Sequence, residues 1–145
     1  MPHVRITPRP AYSFAVDITV RTTDLNYGGH LGNDRLLSLV HEARMAWLAQ
    51  HGWSELECAG AGLILRDTAV VYRGEAFAGD VLRFEVAAME PTKVGFRLAM
   101  RITRMSDGRE IALVENGMVG FDYARRRMVP LPDSVRTVCA AEDGS

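Results

Sequence analysis

"DLNYGGHLGND", residues 24–34, stands between two stretches of different period. Before it, "FAVDITVRTT" (14–23) alternates Val16, Ile18 and Val20 with Asp17, Thr19 and Arg21, the period-2 pattern of a half-buried strand. After it, "DRLLSLVHEARMAWLAQ" (34–50) puts Leu36, Leu37, Val40, Ala43, Trp47 and Leu48 on one helical stripe. The segment is therefore a strand-to-helix junction. Asn33 or Asp34 is expected to cap the helix, because a short side-chain oxygen accepts an orphan amide there. Gly52, after His51, is expected to end it in the left-handed conformation.

Beyond this helix the chain reads as strand: residues 61–73, 81–89, 93–105 and 110–123. "AGD" (78–80), "EPT" (90–92) and "SDG" (106–108) separate them, and sequential hairpins predict an antiparallel sheet. A single long helix must bury its stripe against that sheet, so the expected class is α+β in two layers. One domain covers 1–145, with its core over about 14–132. Residues 1–11 hold three prolines and form an irregular lead-in, and residues 133–145 are expected to be a tail with at most one helical turn. Trp47, Trp53, Phe77, Phe96 and Phe121 are expected in the core.

Composition excludes several classes. Apolar residues are 48% and charged residues 24%, so the chain can bury a core without disulfides or a structural metal. A net charge of −1 argues against nucleic-acid binding. Cys58 and Cys139 have no metal-ligand spacing and suit a reducing compartment, so no metal is expected. No apolar run reaches the ~20 residues of a membrane span. "MPHVRITPRPAYSF" lacks the apolar region of a secretory leader, and a cytoplasmic location is expected.

Four segments in order carry a resemblance: "DLNYGGHLGND", "HEAR" (41–44), "VVYRGEAFAGD" (70–80) and "GREIALVENGMVGFDYARRRMVPLP" (108–132). Together they resemble the hotdog-fold acyl-CoA thioesterases of the 4-hydroxybenzoyl-CoA thioesterase type, over about residues 14–132. The resemblance implies a curved antiparallel sheet of about five strands wrapped around one central helix. It also implies subunits paired edge to edge, with active sites at the dimer interface. A thioester of CoA or of an acyl carrier would be the substrate, CoA being part of the substrate rather than a cofactor. The second helix face, Ser38, Glu42, Met45, Ala46 and Ala49, would suit a further contact in a tetramer, its small residues allowing close approach.

The chain departs from the family pattern at one point. The carboxylate expected four residues before the His is Asn26 here, and an amide cannot serve as a base or nucleophile. Asp24, six before the His, and Glu42 are then the candidate bases, Asp24 being preferred. Asn26 and His30 are candidates for holding water or the thioester. The helix start supplies unpaired N–H groups for the oxygen that gains charge, and by resemblance the amide near Asn33 polarises the carbonyl. Tyr27, Gly28, Gly29, Asn33 and Asp34 are placed as substrate contacts, the glycines because no Cβ blocks close approach. Arg73 and Arg125 are candidates for the phosphates of CoA, against the plainer reading of the "ARRRM" run (124–128) as a solvated strand end. The same segment in its bland reading is a polar turn, since Asn and Asp mimic backbone groups. Two other functions fit the residues: a hotdog enoyl-CoA hydratase or dehydratase, and a non-catalytic acyl-CoA or acyl-carrier binding module.

Overall fold

The computed structural model describes residues 3–144. Strand β1 (Phe14–Thr19) alternates half-buried and exposed positions, as its period requires. Helix α1 (Asn33–Gln50) follows, then β2 (Gly62–Tyr72), β3 (Val81–Met89), β4 (Gly95–Arg104), β5 (Glu110–Asp122), a two-residue strand β6 (Arg127–Met128) and helix α2 (Asp133–Asp143). The sheet is antiparallel, and β6 extends it from β5.

Strand order is β1-β3-β4-β5-β2. Only β3, β4 and β5 form the expected run of hairpins; β2 pairs with β5, with Val70 opposite Val114, and not with β3. Both β1 and β2 are edges. The link 73–80 therefore crosses three strand spacings, roughly 14 Å, which eight residues span easily. On the way it passes the start of α1, where the Leu31 amide donates to the Ala76 carbonyl at 2.7 Å. It then joins the end of β1, with the Val20 amide on the Asp80 carbonyl at 2.9 Å.

Helix α1 packs Leu36, Leu39, Val40, Ala43, Trp47 and Leu48 into the core. Leu37 is a correction to the expected stripe: it lies about 100° around the helix from Leu36 and is 44% exposed. Leu39 takes its place in the core. At the C-terminal end, Gly52 has φ 76°, its amide donates to Ala49, and the Trp53 amide donates to Leu48. These two bonds close the helix as the sequence indicated. At the other end Gly32 occupies the cap and no side chain caps the helix. Asn33 is instead the first helical residue, and its Oδ1 accepts the Asp34 amide at 3.0 Å.

The expected C-terminal tail is an 11-residue helix, α2. Val135 and Cys139, one turn apart, are fully buried against the core. Glu142 accepts the indole N–H of Trp47 at 3.1 Å and the Ala88 amide at 2.8 Å, which docks α2 against β3 and α1 together. Among the expected core aromatics, Trp47 and Phe96 are buried, Trp53 and Phe121 are half-buried, and Phe77 is 46% exposed. No described helix is long and apolar enough to cross a membrane.

Candidate active site

A cavity of about 270 Å³ opens where the junction loop, the start of α1, the end of β2 and the crossing link meet. Leu31, Leu36, Ala76 and Ile111 form its apolar part; Asn26, His30, Asn33, Tyr72 and Glu75 supply the polar groups. The loop is built by Asn26. Its Oδ1 accepts the Gly28 amide at 2.9 Å and the His30 amide at 3.4 Å, while its own amide donates to the His30 carbonyl at 2.8 Å. Gly29, at φ 81°, makes the reversal that lets the chain close on itself. A Cβ on Gly28 would stand 3.3 Å from Asn26 Oδ1 and 3.4 Å from His30 Nε2, so this glycine makes room for those two side chains.

The His30 ring is held by Nδ1, 3.3 Å from the Leu31 carbonyl. A carbonyl only accepts, so this bond puts a proton on Nδ1 and leaves Nε2 facing Glu75 Oε1 at 4.0 Å. The Tyr72 hydroxyl donates to the Asn33 carbonyl at 3.0 Å. Burial foremost, with Asp34 adding to it, pushes the Tyr72 phenol above its ordinary value. Among the described residues no acceptor meets the Asn33 amide, so the uncapped start of α1 presents a free donor at the cavity wall.

Asn26, His30 and Asn33 thus meet in one cavity, whereas Gly28 and Gly29 shape the loop without lining it, and Asp24, Tyr27, Asp34 and Glu42 also lie outside it. Asp24 is 1% exposed, and its carboxylate accepts the Arg21 amide at 2.9 Å and the Arg21 guanidinium at 3.1 and 3.2 Å. The Arg21 side chain foremost, with its amide, outweighs burial and holds that carboxyl below the usual range. Its carbonyl accepts the Gly32 amide at 3.1 Å, so Asp24 buttresses the loop from behind. Tyr27 is fully exposed, Asp34 is exposed beside the helix start, and Glu42 is exposed on a face of α1 away from the cavity.

The arginines are likewise apart. Arg73 is exposed one residue past Tyr72, with Nε 3.7 Å from Glu110. Arg125 follows the far end of β5, roughly 35 Å along that strand from Ile111, and sits 3.9 Å from Asp122.

Glu75 and Tyr72 carry polar groups in the cavity that the motif reading did not single out. Tyr72 was visible as the tyrosine of "VVY". Glu75 has no local signal, because the crossing link brings it there through the strand order. The thiols of Cys58 and Cys139 are buried, and burial foremost pushes both up to about 12, which removes them as nucleophiles near neutral pH. Among the described residues no cluster of three or more His, Cys, Asp or Glu could hold a metal ion. A broader cleft of about 600 Å³ lies between the 56–62 turn and residues 121–132, remote from the start of α1.

The family model of the thioesterase-like superfamily matches residues 20–138, and the chain belongs to that superfamily. It has the hotdog fold and is a thioester hydrolase of the thioesterase-like type. No curated protein matches it by sequence. Among solved structures it is similar to a 1,4-dihydroxy-2-naphthoyl-CoA thioesterase from Synechocystis, with TM-score 0.78 and 21% identity over 88% of this chain and 95% of that one. A Staphylococcus aureus protein solved in complex with CoA is similar at TM-score 0.80 and 20% identity, over 95% of this chain and 89% of that one. A gentisyl-coenzyme A thioesterase is similar at TM-score 0.75 and 19% identity, over 85% of this chain and 99% of that one.

Proposed function

We propose that this protein hydrolyses an acyl-CoA thioester to the free acid and CoA at the cavity beside the start of α1. The observation that carries the reading is the uncapped helix start. Asn33 lines the cavity, its amide meets no acceptor among the described residues, and a helix start favours a developing oxyanion through its free donors and the positive end of the dipole. His30 and Asn26 line the same space and orient the thioester and water against that donor. Leu36, Ile111 and Ala76 supply an apolar wall for the acyl group. An apolar cavity of about 150 Å³ takes up benzene, so about 270 Å³ has room for an aromatic ring or a short acyl chain beside the thioester. The aromatic acyl groups in the names of two similar proteins support the same size class. The unpaired side of β2 is the edge through which a second copy would extend the sheet.

The test is release of CoA thiol from a panel of short, long and aromatic acyl-CoAs, with crotonyl-CoA hydration followed in parallel. Turnover of at least one thioester is expected. No thiol release across the panel, or hydration of crotonyl-CoA in its place, would contradict the proposal.

A further inference from the structure

We propose that Glu75 is the base that activates the attacking water, supplying from the crossing link the carboxylate that Asn26 lacks in the junction loop. The assignment rests on the thioester-hydrolysis reading above.

Three observations converge on it. First, Glu75 is the carboxylate that lines the cavity among the described residues, whereas Asp24 is engaged by Arg21 behind the loop and Glu42 faces away. Second, its backbone is held on both sides of the side chain. The Arg104 guanidinium donates to the Glu75 carbonyl at 2.7 Å, the Gly74 amide donates to Ile111 at 3.1 Å, and the buried Ala76 accepts the Leu31 amide at 2.7 Å. The backbone of Glu75 is thereby held beside the His30 loop, and its carboxylate reaches to 4.0 Å from the ring. Third, the carboxylate is uncommitted. Its ion contact is His30 Nε2 at 4.0 Å, beyond hydrogen-bond distance, and its side chain is 65% exposed, so water reaches it freely.

The chemistry balances with these groups. A water between Glu75 and the thioester gives one proton to the carboxylate as its oxygen bonds to the carbonyl carbon. The carbonyl π pair moves onto the oxygen, which the Asn33 amide stabilises. The tetrahedral adduct collapses, the C–S bond breaks, and the sulfur leaves with the electron pair. The proton held by Glu75 passes to that sulfur, giving free acid, CoA thiol and an ionised Glu75. His30, fixed through Nδ1, is a positioning residue whose ring flanks the Glu75 carboxylate and limits where it can turn.

The experiment uses the full chain and the acyl-CoA that the wild type turns over fastest. Glu75→Gln keeps the shape and removes the base. Its kcat is expected to fall by about 100-fold or more, with KM and melting temperature close to wild type. Adding Asn26→Asp to Glu75→Gln is expected to restore about 10-fold or more of kcat, which a purely structural role for Glu75 would not permit. A Glu75→Gln enzyme within about threefold of wild-type kcat would overturn the assignment and leave the thioesterase reading standing. So would a loss of kcat matched by an equal loss of folded protein. A wild type that hydrolyses no thioester removes the reading on which the assignment rests.

Discussion

The Tyr72 hydroxyl donates to the Asn33 carbonyl at 3.0 Å, tying the last residue of an edge strand to the first residue of α1. The bond closes one wall of the cavity and fixes the helix start against the sheet. Tyr72→Phe keeps the ring and removes the donor. It should cost about 1 kcal/mol of stability and lower kcat/KM severalfold through a looser Asn33 amide. Thermal denaturation and steady-state kinetics on the same preparation check both effects.

Asp24 is predicted to be a stability residue with a defined pH signature. Its folded-state carboxyl lies below the ordinary range, so the unfolded chain binds the proton more tightly. Stability from this group is full above the unfolded pKa and is lost as pH falls through the lower folded value. Asp24→Asn should cost about 2 kcal/mol near neutral pH, from the lost charged bonds to Arg21. The gap to wild type should narrow in acid, as urea denaturation across that range would show. Hydrolysis per folded molecule should change far less than in Glu75→Gln.

Gly29 carries the reversal of the junction loop at φ 81°, and nothing lies within 4 Å of a Cβ built there. The penalty of Gly29→Ala is therefore conformational. It should lower stability by about 1 kcal/mol and lower kcat by displacing His30 and Asn26 together. Gly29→Asn tolerates the left-handed region better and should recover part of both losses, measured by melting and by turnover.

Helix α2 is predicted to be indispensable to the fold. Glu142 takes the Trp47 indole and the Ala88 amide, two donors that its loss leaves buried without a partner. Glu142→Ala should cost about 2–3 kcal/mol. A chain ending at residue 132 also exposes the core beneath Val135 and Cys139 and should fail to melt cooperatively. Calorimetry of the two variants reads this directly.

Local patterns were sufficient for α1, its glycine stop, the five long strands and the identity of the junction loop, because each is written in neighbours two to four residues apart. Pairing β2 with β5 is not written that way. Val70 meets Val114 across 44 positions, and alternation along either strand is the same whichever partner it takes. Glu75 was hidden for the same reason: its place in the cavity follows from the route of the 73–80 link. Asp24 shows the reverse error, since a carboxylate close to His30 in sequence turns inward to Arg21 in space. Residues 133–145 were expected to hold at most one helical turn, yet α2 forms there, and Pro132 sits at its cap, where a missing amide costs nothing.

The most direct test is a crystal structure with a carbadethia acyl-CoA, in which a methylene replaces the sulfur and the carbonyl survives. The carbonyl oxygen is predicted within about 3 Å of the Asn33 amide nitrogen, with the Glu75 carboxylate facing the carbonyl carbon. An acyl carbonyl bound away from the start of α1, for example in the cleft between the 56–62 turn and residues 121–132, would contradict the account.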